Sequence, residues 1–176
     1  MKDSFIQTYT GEKFYPFNPK PEQVHLEDIA HALSHICRYG GAVEKFYSVA
    51  QHCVLAARYC DGHQRWLLMH DAAEAYIGDM IHPIKEFIPE FRAMEEQILD
   101  VITERFNLPN RFLVWESIQR ADLLLASTEK RDLLSVDIPW DRGLPAPMDG
   151  RITPWTSEVA KEQFFLMAKQ LWIKEI

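Results

Sequence analysis

No stretch of this 176-residue chain approaches the run of about eighteen apolar residues that a membrane-spanning helix needs. Membrane association is therefore not expected. The opening Met1-Lys2-Asp3-Ser4-Phe5 has no apolar signal core, so a cytoplasmic location is expected. Cysteine is scarce: Cys37, Cys53 and Cys60 are odd in number and form no CxxC pair. They read as buried, reduced thiols rather than a disulfide framework or a zinc knot. Excess positive charge is also lacking. A formal net charge of -7 argues against nucleic-acid polymers, which bind proteins with a basic face that displaces counterions. A small phosphorylated ligand stays admissible, because one metal ion and one or two local cations outweigh distant acidic surface within about 8 Å at physiological salt. Neither a phosphate-cradling P-loop nor a nucleophile elbow is present, so Ser/His/Asp catalysis has no local support.

What is present fits a globular chain large enough to bury a core, 47% hydrophobic and 26% charged. The first twenty residues, with Tyr9, Phe14, Tyr15, Phe17, Pro19 and Pro21, predict an irregular arm or a short hairpin. From Leu26 the apolar residues Ile29, Ala30, Leu33 and Ile36 recur at helical spacing until Gly40-Gly41. Ser48 is an N-cap for a helix through about Tyr59, stopped by Asp61-Gly62. A third helix is predicted from Gln64 to Tyr76, closed by Gly78-Asp79. A long amphipathic helix is predicted over Glu90–Phe106, another from about Arg111 into Leu134, and a last one over Ser157–Lys174. The four prolines, with Gly143, Asp149 and Gly150, make Val136 to Thr156 a loop. The expected architecture is an all-α orthogonal bundle of six or seven helices in one domain over 1–176, its core about 26–134.

Chemistry concentrates in Trp66-Leu67-Leu68-Met69-His70-Asp71-Ala72-Ala73-Glu74-Ala75-Tyr76. Three ionisable groups within five positions of an otherwise apolar helix need compensation, because unpaired buried charge is costly. A metal ion is the simplest compensator. His52 upstream and Asp122 downstream complete two imidazoles and two carboxylates. His70 and Glu74 share a face while Asp71 lies about 100° round, so His70 and Asp71 converge on one ion only if the helix meets it nearly head-on. Mixed nitrogen and oxygen ligation suits one divalent ion of Mn, Co, Fe or Zn better than Mg or Ca, with positions left for water and substrate. This points to a metal-dependent hydrolase.

The set Ser48-Val49-Ala50-Gln51-His52, His70-Asp71-Ala72-Ala73-Glu74 and Arg120-Ala121-Asp122 resembles the HD-domain metal-dependent phosphohydrolases. The finer likeness is to small bacterial and phage nucleotide phosphohydrolases, including 5'-deoxynucleotidases. It covers roughly Ile29 to Leu134. The resemblance implies His52, His70, Asp71 and Asp122 as metal ligands and Glu74 as the catalytic acid–base group, with Asp71 beside it. It also implies Arg38 on the phosphate. Gly78-Asp79 and Pro83-Ile84-Lys85 match family segments; Asp79 could accept from a sugar hydroxyl, and Lys85 adds a possible second charge. Where the deoxynucleotidases have tryptophan after the arginine, Tyr39 follows Arg38; its ring could exclude a 2'-hydroxyl.

The expected reaction is hydrolysis of deoxynucleoside monophosphates to nucleoside and phosphate. Alternatives are a dNTP triphosphohydrolase, a cyclic-dinucleotide phosphodiesterase with fewer histidines than usual, and a catalytically silent nucleotide sensor. By analogy the chain is expected to form a homodimer through the Glu90–Phe106 helix or the C-terminal helix.

Overall fold

The Ser48 hydroxyl accepts the Gln51 N–H at 3.1 Å and so starts the helix on which the rest is assembled. That helix, Val49–Tyr59, buries nine of its eleven residues, Val49 through Ala57, because it is apolar or small on nearly every face. It lies among the other helices of a computed structural model that describes residues 4–141 and 143–172. In chain order the helices are α1 (Leu26–His35), α2 (Val49–Tyr59), α3 (Gln64–Met69), α4 (Glu74–Ile77), α5 (His82–Lys85), α6 (Pro89–Arg105), α7 (Trp115–Leu133) and α8 (Ser157–Trp172). α2 packs against α1, α3, α7 and α8. The protein is mostly helical, as expected. No helix among the described residues is long and apolar enough to cross a membrane.

The arm is the hairpin alternative: β1 (Ile6–Gln7) pairs antiparallel with β2 (Lys13–Phe14), Ile6 opposite Phe14. It is held down by Phe14, fully buried and stacked on Tyr76 at 3.9 Å, and by Asp28, which accepts the Thr10 N–H at 2.7 Å and the Thr10 hydroxyl at 3.0 Å.

Three expectations need correction. α1 does not run to Gly40-Gly41. It stops at His35, and Ile36 and Cys37 go extended because Cys37 forms a bridge with Ser48: the Arg38 N–H donates to Tyr47 O at 3.0 Å and the Val49 N–H to Ile36 O at 3.1 Å. A tight turn follows with left-handed backbone at Tyr39 (φ 58°), which is rare for a residue with a side chain. The single helix expected over Gln64–Tyr76 is two, α3 and α4. Between them the bonds tighten to three-residue spacing: Ala72 N–H to Met69 O (2.9 Å), Glu74 to Asp71 (3.0 Å), Ala75 to Ala72 (3.3 Å) and Tyr76 to Ala73 (3.0 Å). The cause is local. In a regular α-helix the Leu67 carbonyl is due to the Asp71 N–H, but here the His70 ring nitrogen Nδ1 reaches it at 2.9 Å. Finally, α7 starts at Trp115; Arg111–Leu113 forms a separate 3-10 turn capped by the Asn110 side chain.

The remaining bounds differ by a residue, and Ile173 and Lys174 of the expected last helix lie outside the described residues. The proline-rich stretch is free of helix and strand among the described residues, as expected. It is stapled down by the Ser127 hydroxyl on Pro145 O (2.6 Å), the Met148 N–H on the Thr128 hydroxyl (3.0 Å), and Gln51, which bonds both Thr153 O (2.9 Å) and the Trp155 N–H (2.8 Å).

Replacing Ser48 by Ala removes the α2 cap one turn before His52 and leaves the Gln51 N–H buried without its acceptor. We expect a loss of about 1 kcal/mol, and no more than about 2. Urea unfolding of both proteins measures it; an unchanged midpoint would show that the cap is dispensable.

Candidate metal centre

α2 carries His52 in its first turn, fully buried. The tightened segment after α3 carries His70 and Asp71, and α7 carries Asp122. Their ligand atoms converge. His52 Nε2 lies 3.1 Å from His70 Nε2 and 3.8 Å from Asp71 Oδ2, and His70 Nε2 lies 3.4 Å from Asp71 Oδ2. His52, His70 and Asp71 form a group whose ligand atoms all lie within 4.8 Å of one another. Asp122 stands at its edge. Its Oδ1 is 3.3 Å from His52 Nε2 and 3.7 Å from an Arg38 nitrogen, with 38% of the side chain exposed. The expected head-on approach of a straight helix is not needed: three-residue turns rotate successive side chains by about 120°, and the break frees His70 and Asp71 to meet.

Both imidazoles have Nδ1 occupied. His52 Nδ1 lies 2.6 Å from Glu129 Oε1 and His70 Nδ1 lies 2.9 Å from Leu67 O. Each partner is an acceptor, so each Nδ1 holds a proton, and each Nε2 offers a lone pair inward whenever it carries no proton of its own. Two lone pairs 3.1 Å apart repel unless a proton or a cation sits against them. These spacings are also those of neighbouring ligands on an ion bound at about 2.0–2.2 Å. The donor set fits a divalent transition ion.

Charge around the group is unbalanced. Arg38, from the turn after α1, is the cation that meets it: its guanidinium nitrogens lie 3.3 Å from Asp71 Oδ2, 3.7 Å from Asp122 Oδ1 and 3.3 Å from Glu129 Oε2. Burial opposes charge on His52 and Arg38 repels it, but Glu129 and Asp122 prevail and push its pKa up to about 9. Asp122 moves the opposite way. Burial resists ionisation, and the contact with His52 overcomes this and holds its carboxyl well below the usual range. Burial likewise resists ionisation of Glu129, which Arg38 and His52 nevertheless pull down to about 2. Glu74, at the start of α4, is 4% exposed and its Oε2 has no hydrogen-bond partner among the described residues. Burial, then Asp71 and Asp79, raise its pKa well above a normal glutamate.

The other candidates are placed unevenly. Asp79 is half-buried and is raised by burial, in a field that includes Arg38 and Asp71. Lys85 gives its ammonium to Glu95 of α6 at 2.5 Å. The Tyr39 hydroxyl donates to Glu129 Oε2 at 2.5 Å, so the phenol is committed inward. Glu129 is the residue that reading the sequence missed. A signal existed: it follows Asp122 by seven positions, two turns on the same face of α7, in a run otherwise apolar or hydroxylic from Leu124 to Thr128.

Fold and site together define a helical protein with a histidine–aspartate group able to hold a metal ion. No family model matches the chain. Over 131 residues, 74% of the chain and 72% of the relative, it is 41% identical to the uncharacterized protein YfdR of Escherichia coli (strain K12). Over 120 residues, 62% of the chain and 61% of the relative, it is 33% identical to the uncharacterized protein RCAP_rcc00048 of Rhodobacter capsulatus. The chain belongs to the family of YfdR.

The pKa shifts carry a pH dependence. A group whose folded pKa is raised stabilises the fold fully below its unfolded value and loses that contribution as pH rises through the folded value. For His52 the window runs from about 6.5 to about 9, on the order of 3 kcal/mol, and the raised Glu74 acts in the same direction. Thermal melting of chelator-treated protein between pH 6 and 9.5 should show stability falling across this window. A divalent cation should suppress the fall by taking the proton's place. A melting point that rises with pH over this range would contradict the assignment.

Proposed function

We propose that the protein is an HD-type metal-dependent phosphohydrolase acting on nucleotides, and within that class a 5'-deoxynucleotidase releasing phosphate from deoxynucleoside monophosphates. The observation that carries this reading is the convergence of two imidazole Nε2 atoms and Asp71, with Asp122 at the edge and Arg38 against the same carboxylates. When bound there by His52, His70, Asp71 and Asp122, a divalent cation would supply Lewis-acid polarisation of a phosphoryl oxygen and acidify a water.

The chain's own groups account for the rest. Arg38 offers a planar fork of N–H donors beside the cluster, suited to phosphate oxygens and to the charge that builds on them. Glu74 keeps a buried oxygen unused, so it can orient the attacking water and accept its proton. The water oxygen forms the new P–O bond, the ester P–O bond breaks, and the 5'-oxygen takes up the proton that Glu74 received from the water and leaves as the nucleoside hydroxyl.

Two placements favour the monophosphate, deoxy form of this reading. Lys85 spends its charge on Glu95, which leaves little to bind the extra phosphates of a triphosphate. The Tyr39 hydroxyl is spent on Glu129, which removes a hydrogen-bonding partner that a ribose 2'-hydroxyl could use.

A phosphate-release screen of metal-reconstituted protein over mono-, di- and triphosphates of ribo- and deoxynucleosides tests this. Deoxynucleoside monophosphates should be hydrolysed fastest. Release of triphosphate from a dNTP would replace the reading with a triphosphohydrolase, and hydrolysis of none by folded, metal-loaded protein would make the site a sensor. Glu74→Ala should lower kcat by at least about 100-fold with metal content unchanged. A variant keeping most of its rate would remove Glu74 from the mechanism.

A further inference from the structure

Glu129 takes no part in the reaction proposed above, yet it is completely buried and four side chains converge on it. Its two oxygens divide these partners. Oε1 accepts the Tyr47 hydroxyl at 2.8 Å and the His52 Nδ1–H at 2.6 Å. Oε2 accepts the Tyr39 hydroxyl at 2.5 Å and lies 3.3 Å from Arg38 Nε. One oxygen serves the side of the candidate ion, through His52; the other serves Arg38 and Tyr39.

α7 addresses both nitrogens of a single imidazole. Asp122 lies 3.3 Å from His52 Nε2, and Glu129, two turns on, lies 2.6 Å from Nδ1. A carboxylate at Nδ1 keeps that nitrogen protonated, holds the lone pair on Nε2, and makes the ring a stronger donor to metal. Packing alone would not select an ionisable residue here, since burying a carboxylate is costly and an apolar side chain of similar volume fills the same space.

We propose that Glu129 is a positioning residue that fixes His52 Nε2 as a metal donor and holds Arg38 and Tyr39 in register with it, so that the cation and phosphate sites are built as one unit. The part concerning His52 rests only on the metal-binding group; the part concerning Arg38 rests on the phosphohydrolase reading.

Glu129→Gln keeps the size and removes the charge. Mn2+ affinity of the chelator-treated full chain, measured by titration calorimetry with circular dichroism to verify folding, should fall 10- to 100-fold. At saturating Mn2+ the KM for a deoxynucleoside monophosphate should still be raised. Folded Glu129→Gln with Mn2+ affinity within threefold of the parent would overturn the proposal. Should that variant fail to fold, Tyr39→Phe and Tyr47→Phe take its place. Tyr39→Phe should raise KM with Mn2+ affinity held within threefold, and Tyr47→Phe should weaken Mn2+; if neither does so, the proposal falls. A parent protein that binds Mn2+ but hydrolyses no nucleotide would sink the phosphohydrolase reading while the affinity comparison still decides the role toward His52. A parent that binds no Mn2+ overturns both.

Discussion

The approach of His52 Nε2 to His70 Nε2 is the contact on which the rest of the site depends. Each ring has already given its Nδ1 proton to an oxygen, one on Glu129 and one on Leu67, so neither can turn to relieve the other without losing a buried hydrogen bond. The two lone pairs are thus held together by the surrounding structure. Something positive must lie between them, and Asp71 and Asp122 reinforce that demand. Arg38 is one guanidinium among Asp71, Asp122 and Glu129, with Glu74 close enough that Asp71 raises its pKa. A divalent ion would answer this excess of negative charge; a proton on His52 answers only part of it.

The fold serves this contact at each level. The Ser48 cap fixes where α2 begins and so where His52 stands. The bridge between Cys37 and Ser48 ties the Arg38 turn to the same point, which places the guanidinium and the imidazole within one rigid corner. The His70 ring helps loosen its own helix by taking a backbone carbonyl, and the resulting turns let His70 and Asp71 face inward together. A strained, left-handed Tyr39 persists because its hydroxyl is anchored on Glu129.

Much of this was legible in the sequence because it is local or periodic. The spacing of apolar residues marks α1 and the amphipathic α6, and the Ser48 cap and the breaker at Asp61-Gly62 mark the ends of α2. His52, His70 and Asp71 stood out because ionisable residues are conspicuous in apolar helices. What escaped depends on partners distant in sequence. The early end of α1 follows from pairing with Ser48, and the split of the third helix from a side chain competing with the backbone. Lys85 reads as a free cation until Glu95 is placed opposite it. Glu129 escapes a reading of the sequence because His52, Tyr47 and Tyr39 reach it from 77, 82 and 90 positions away.

The most direct measurement is anomalous diffraction from crystals of the protein grown with Mn2+. A single peak within coordination distance of His52 Nε2, His70 Nε2 and Asp71 Oδ2, with Asp122 alongside, is the predicted result. A map with no peak between the two imidazoles, or with the ion bound elsewhere and the two rings turned apart, would contradict it.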